Sequence, residues 1–332
     1  MSDFSPKLNP NLFTDSIKRV PTRFGFGEGL VQAGKKDARV VALCADLTAS
    51  TKMDAFAKEF PGRFVEMGIA EQSMASVASG LAAMGKIPFC ASYAMFSPGR
   101  NWEQIRTTVC YNESNVKIVG AHGGVSVGPD GGTHQAIEDI ALTRVIPNMT
   151  VIVPCDVHEA RKATLAAATY NGPVYLRLTR EPTPVMTTED TPFAMGKAQI
   201  MYEPKKGLKK TIGIIAAGPI MYEALVAAKE LGEEGIGVSV MNLSTIKPLD
   251  GEAVRAFSEA HDALITLEEH QIAGGLGSAV AEYLAEVHPT HIVRIGVKDL
   301  FGQSGTQEEL LKHYGMDRES IKEEIKKLKR KG

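Results

Sequence analysis

The sequence predicts an α/β protein of two domains, a parallel-sheet domain followed by a smaller α/β unit, and three observations carry that expectation. Short β-rich runs alternate with helical stretches along most of the chain. A segment rich in proline, threonine and charge breaks the alternation once, past the middle. The length, 332 residues, exceeds what one core usually organises, so two domains of roughly 100 to 200 residues each are expected.

Residues 1–19 read as an N-terminal arm. Over 20–185 the strand candidates are RVVALCAD (39–46), IPFCASYA (87–94), VKIVGAH (116–122), MTVIVPC (149–155) and PVYLRLT (173–179). Small-residue or amphipathic segments such as AEQSMASVASGLAAMG and DVHEARKATLAAATYNG lie between them. Strand then helix, repeated, implies a parallel sheet covered on both faces. The stretch 186–210, the main part of EPTPVMTTEDTPFAMGKAQIMYEPKKGLKK, reads as a linker with one short strand. The alternation resumes over 211–332 with TIGIIAAG, IGVSVMNL, ALITLEEH, the helix after GGLGS, and HIVRIGV. In the tail DRESIKEEIKKLKRKG, Asp317 stands at an N-cap position and lysines crowd the far end, matching both poles of a helix dipole.

With 44% hydrophobic residues, 23% charged residues and a formal net charge of −2, the chain falls in the ordinary globular class. It has no basic field to attract nucleic acid or an anionic membrane. Apolar runs such as IGIIAAGPIM (212–221) fall short of the ~20 residues a bilayer span needs. MSDFSPKLNPNLF lacks the basic and apolar regions of a secretion signal, so a cytoplasmic location is expected. Cys44, Cys90, Cys110 and Cys155 lie far apart without a CxxC, which suits buried reduced thiols better than disulfides or zinc.

Ligands of open α/β sheets sit beyond the carboxyl ends of the strands. Three strand candidates end there in polar groups, Asp46, His122 and Arg180. In FVEMGIAEQSMASVASGLAAMG, Glu71 opens a helix nearly bare of charge, which should therefore be buried. Such a carboxylate either complements the helix dipole or serves as an acid–base group. SYAMFSPGRNWEQ sets Tyr93 and Phe96 three residues apart, as core packing or as a shelf for a flat heterocycle. In GPDGGTHQ (128–135) the glycines permit positive φ and close backbone approach to a ligand. That loop is either a polar hairpin tip or the carrier of Asp130 and His134 into a pocket. His122 and His134, twelve apart, match no common metal spacing, and His158, His261, His288, His291 and His313 sit in surface-like contexts. GFGEGL (25–30) contains G-x-G, but without a preceding strand it says little about dinucleotides. EEHQIAGGLGSAVAE tightens a strand-to-helix crossing and carries His270 toward a domain interface.

Taken in this order and at these separations, ADLTAS, FVEMGIAEQ, SYAMF, AHGGVSVGPDGGTHQ, LTRVIPNM, LTRE and EEHQIAGGLGSAVAE resemble the C-terminal two-thirds of a transketolase. The resemblance implies a thiamine diphosphate pyrimidine-binding domain over 20–185 and a transketolase C-terminal domain over 211–332. The family's diphosphate-binding domain, with its GDG motif, has no counterpart among these residues, which implies one half of a split enzyme. Mg²⁺ or Ca²⁺ would then be held mainly by an N-terminal partner subunit, in an α₂β₂ assembly. By the family pattern, Glu71 hydrogen-bonds the pyrimidine ring, and Tyr93 and Phe96 pack on it, with Asp46 a further cofactor-proximal carboxylate. Asp130 and His134 bind the sugar hydroxyls and carbonyl, while His122, Arg180, Arg23 and Ser50 take the sugar phosphate. Glu71 and His134 would be the catalytic pair. The family often has a third aromatic where this chain has Gly99, a gap that Trp102 either fills or leaves open. The implied reaction moves a two-carbon ketol unit from a ketose phosphate to an aldose phosphate. Half of a 1-deoxyxylulose-5-phosphate synthase, a 2-oxoacid dehydrogenase beta subunit and a non-catalytic scaffold are the alternatives.

Overall fold

The computed structural model describes residues 7–205 and 207–331; the first six residues of the N-terminal arm lie outside them. The predicted α/β class holds. The apolar strands Val40–Cys44 and Lys117–Ala121 are buried along their whole length, as strands covered on both faces should be. They belong to a seven-stranded sheet in the order Thr245–Lys247, Thr150–Ile152, Val174–Arg177, Lys117–Ala121, Ile87–Tyr93, Val40–Cys44, Phe64–Glu66. All neighbours are parallel except the first pair.

The two-residue period of a strand divides the covering layers. Val40, Ala42 and Cys44 face a core shared with Phe26, Leu30, Ala160 and Ala163, from the helices Thr22–Lys36 and Val157–Thr169. Val41 and Leu43 face the other core, with Met74, Ala75, Ile105 and Val109. The two helices touch along GFGEGL. A Cβ on Gly25 would lie 2.0 Å from the Val157 carbonyl oxygen, so the glycines there serve helix packing.

The second sheet runs Ile292–Val297, Ala263–Gln271, Lys210–Ala216, Gly237–Asn242, Gln199–Tyr202, parallel except for its last strand. Gln199–Tyr202 is the short strand expected within 186–210. The rest of that segment is pinned to the first sheet's helices, with Thr187 donating to Asp156 and Lys162 donating to the carbonyls of Thr188 and Thr191. Thr245–Lys247, by contrast, leaves the second unit to extend the first sheet. Three residues carry no legible strand pattern, so the sequence does not announce this exchange. Ile215, Met241 and Leu264 of the second unit share one core with Val151 and Tyr175 of the first.

Beside that shared core lies a closed ionic knot. Asp139 Oδ2 accepts from Tyr175 Oη at 2.6 Å and from Arg177 Nε at 2.8 Å, and Arg177 Nη2 donates across to the Glu269 carbonyl at 2.9 Å. Burial, then the Asp139 charge, pushes the Tyr175 phenol well above its ordinary range, so the hydroxyl stays a donor.

Three further expectations meet the structure here. All four cysteines are free and buried, as expected. The helix Glu71–Ala83 is buried on one side only, because Gln72, Ser73, Ser76 and Val77 are exposed. Small uncharged residues there signal a bare face, and a lack of charge is no measure of burial. His261 is buried rather than surface-like, with Nδ1 2.7 Å from the Phe257 carbonyl oxygen.

Candidate active site

Glu71 begins its helix after a bend at Gly68, whose φ of 65° suits glycine. Its side chain does not cap: the N-cap residue is Ala70, and the carboxylate turns to the neighbouring strand and turn. Oε1 accepts from Ser92 Oγ at 3.2 Å and Oε2 pairs with Arg100 Nη1 at 2.7 Å. Asn101 Nδ2 holds the Glu71 carbonyl at 3.1 Å. Glu71 is 1% exposed while the Arg100 side chain is 46% exposed, so the pair is closed on one side only. Ser92, Arg100 and Asn101 escape sequence reasoning, because contacts across 21 to 30 residues leave no local pattern.

Tyr93 ends the strand Ile87–Tyr93, and neither it nor Phe96 joins a core cluster. Their rings lie 6.3 Å apart at 23°, nearly parallel, with the Tyr93 ring 3.9 Å from that of His122. Phe96 meets the His134 ring edge-on at 5.7 Å. The two aromatics are half-buried and gathered with histidines, an arrangement suited to a shelf rather than a core. No aromatic completes the wall at position 99, where a Cβ would come within 2.0 Å of the Met95 carbonyl oxygen. Trp102 does not fill the gap either, since its indole donates to the Leu142 carbonyl at 2.7 Å and packs on the core. The Arg100 guanidinium lies over Phe96 instead, 5.0 Å from the ring centre.

His122 follows the strand Lys117–Ala121 in the left-handed region, φ 60°, unusual for a residue with a Cβ and typical of strained functional positions. Arg23 Nη1 donates to its Nε2 at 2.9 Å and to the Ser50 carbonyl at 2.8 Å, while Tyr93 Oη donates to Ser50 Oγ at 3.2 Å. Burial, reinforced by the Arg23 and Arg180 charges, lowers the His122 pKa to about 3. The ring is therefore neutral, and because Nε2 accepts from Arg23, its proton sits on Nδ1. That Nδ1 and Arg23 Nε are both buried without a partner.

The loop GPDGGTHQ is no hairpin. A short helical turn, Val125–Asp130, leads through Gly128 (φ 82°) and Gly131 (φ 76°) to His134. Arg180 Nη1 donates to the Val127 carbonyl at 3.0 Å and to Glu181, and Arg180 Nε lies 3.8 Å from Asp130. The structure thus gathers Arg23, Ser50, Tyr93, Phe96, His122 and His134 in direct contact, Arg180 with Asp130 beside them, and Glu71 beneath through Arg100. Asp46 stands apart: it gives its backbone N–H to Glu66 at 2.7 Å, and its side chain makes no bond with these groups. Glu66, which also accepts from Thr48 Oγ1 at 2.7 Å, is the carboxylate that orders this strand end. His270 does reach the interface between the units, its Nε2 accepting from the Ala141 N–H at 3.3 Å. Surface cavities of about 350 to 680 Å³ lie elsewhere, lined by none of Glu71, Tyr93, Phe96, His122 and His134.

The parallel-sheet fold brings a buried carboxylate and a pair of aromatic rings together beyond the ends of its strands, where α/β proteins bind ligands. Residues 18–185 match the transketolase pyrimidine-binding domain and 202–321 the transketolase C-terminal domain. The chain belongs to the transketolase family, whose members depend on thiamine diphosphate and are transferases. Within it, the likeness runs to C-terminal subunits of split enzymes. A 6-deoxy-6-sulfo-D-fructose transketolase subunit of a Clostridium species is 41% identical over 88% of this chain and 89% of its own length. A subunit of the apulose-4-phosphate transketolase of Phocaeicola vulgatus is 39% identical over 91% of this chain and 95% of its own length. A split-gene transketolase solved as an inactive beta4 tetramer superposes with a TM-score of 0.85 at 42% identity, covering 93% of this chain and 98% of that one. Against the transketolase of Rattus norvegicus, 35% identical, this chain spans 50% of the length. No helix among the described residues is long and apolar enough to cross a membrane.

Proposed function

We propose that this chain supplies the pyrimidine-binding and sugar-phosphate side of a transketolase active site, which an N-terminal subunit completes with the diphosphate and Mg²⁺ side in an α₂β₂ assembly. One observation carries the proposal: a carboxylate buried to 1% exposure pairs with Arg100, whose guanidinium lies over Phe96, beside the near-parallel rings of Tyr93 and Phe96. An acid group at a pocket edge and two near-parallel rings fit a flat, basic heterocycle such as an aminopyrimidine. Thiamine diphosphate, when bound, supplies the electron sink that lets a carbon–carbon bond beside a carbonyl break and re-form.

The chain's own residues supply positioning and proton control. Glu71 holds a proton at the ring nitrogen, and Tyr93 and Phe96 fix the ring plane. His134 and Asp130 face the sugar carbonyl and hydroxyls, with His134 moving the proton at the reacting carbonyl oxygen. His122, Arg23, Arg180 and Ser50 bind the phosphate. The unpartnered donors His122 Nδ1 and Arg23 Nε support that assignment, because phosphate oxygens are what such buried N–H groups lack. Asp46, on the exposed strand end apart from the cluster, would meet the cofactor only across the partner subunit.

Clustered cationic donors favour sugar phosphates over the 2-oxoacids of related thiamine enzymes, and a cluster of buried, unpartnered donors has no use in a scaffold. The two split-enzyme relatives, one acting on a sulfo-sugar and one on a sugar phosphate, support an anionic-headed ketose as donor. The deciding experiment mixes this chain with an N-terminal transketolase subunit, thiamine diphosphate and Mg²⁺ and follows ketol transfer from xylulose 5-phosphate. Transfer is expected from the mixture and from neither chain alone, and Glu71→Ala should lower turnover by at least ~10², the share of a lost acid–base group. Near-native turnover in that variant would refute the role.

A further inference from the structure

The loop carrying Asp130 and His134 springs from the first sheet, yet much of what fixes its shape comes from the second unit. Ser126 N–H donates to Glu269 Oε2 at 3.0 Å, from the strand Ala263–Gln271. The segment 299–305, a strap just after the strand Ile292–Val297, lies close against Gly131 and Gly132 of the loop. A Cβ on Gly131 would meet Ser304 Oγ at 2.6 Å, and one on Gly132 would meet the Gly302 carbonyl oxygen at 2.5 Å. The helix that follows the strap, Gln307–His313, packs against the turn Val125–Asp130.

Gln135 joins loop and strap. It is 1% exposed, and its Nε2 donates to the Val125 carbonyl within the loop and to the Gln303 carbonyl in the strap, each at 2.9 Å. Because both partners are carbonyl oxygens, only the amide nitrogen can face them, which fixes the amide orientation. From the strap side, a Cβ on Gly302 would come within 1.6 Å of Gln135 Oε1. The amide therefore sits in a slot built from both units.

We infer that Gln135 is a positioning residue, which locks the loop bearing Asp130 and His134 onto the 299–305 strap so that the C-terminal unit sets how far those two groups reach toward substrate. The inference rests on the reading that Asp130 and His134 contact the sugar, and it assigns the C-terminal unit a part in substrate binding without cofactor contact.

Gln135→Glu keeps the shape and replaces the donor with a group that repels both carbonyls. Hydrogen exchange measured on this chain by itself should show amides of 123–135 exchanging about 10- to 100-fold faster, as expected for two lost hydrogen bonds. In the reconstituted enzyme the KM for xylulose 5-phosphate should rise by about the same factor, while thiamine diphosphate affinity, read by protein fluorescence, stays within about 2-fold. Gly302→Ala, made in the other unit, should give the same split. The Gln135→Ala/Gly302→Ala pair should be no worse than the poorer single variant, since removing the amide makes room for the methyl. Gln303→Ala keeps its backbone carbonyl and should be silent, which shows that the strap tolerates substitution and still folds. Unchanged loop exchange in Gln135→Glu would overturn the brace. Faster exchange with an unchanged KM, or a matching loss of cofactor affinity, would overturn the positioning role. The exchange readout needs no catalysis, so an inactive reconstitution would count against the proposed function and leave the brace to be judged on its own.

Discussion

Two buried carboxylates in this molecule are each held by an arginine, and the two arginines differ. Arg177, partner of Asp139, is 4% exposed and tied to two further carbonyls, whereas Arg100, partner of Glu71, is 46% exposed and otherwise only rests on Phe96. The first pair is sealed between the units and specifies how they dock. The second has a cation that solvent can reclaim, so its carboxylate can change partner. The contrast separates a buried charge sealed into the architecture from one left within reach of solvent.

The sharpest way to break the contrast is Arg177→Met. It strands the Asp139 charge in the interior and should cost about 3 to 5 kcal/mol of stability in urea unfolding, the range for removing one member of a buried pair. A loss below roughly 1 kcal/mol would mean the knot is dispensable. A second test uses His122. Its folded pKa of about 3 lies below the ordinary 6.5, so between those values the unfolded chain binds a proton that the folded chain refuses. Stability should therefore fall as pH drops through 6.5, by on the order of 3 kcal/mol near pH 4, and level off below about 3. His122→Asn should flatten that slope; an unchanged slope would place the acid sensitivity elsewhere. The smallest effect is expected for Arg100→Met, a loss by thermal unfolding below that of Arg177→Met, because solvent that already reaches the half-exposed guanidinium can hydrate the Glu71 carboxylate it leaves behind. A cost as large as that of Arg177→Met would erase the distinction.

The strand-end groups are legible in the sequence because buried parallel strands are continuous apolar runs, and a polar residue that stops such a run stands out. His122 and Arg180 are found this way, and Glu71 by its place at the head of an uncharged helix. What the sequence hides lies across space. Arg100 and Ser92 reach Glu71 from a turn and a strand 29 and 21 residues away, and nothing local in SPGRN marks that pairing. The helix Glu71–Ala83 reads as buried because its outer residues, among them Gln72, Ser73, Ser76 and Val77, carry no charge, so they sit in water or against another chain with equal ease. Position 99 reads as a missing aromatic. It is a glycine because the backbone of Met95 already occupies the space where a side chain would begin.

The strand Thr245–Lys247 has a practical consequence of its own. Cutting the chain between 186 and 210 would not release two bodies, because the later piece remains stitched into the earlier one's sheet. Any motion at the site must come from loops and side chains, since these two lobes are not free to swing like the leaves of a door.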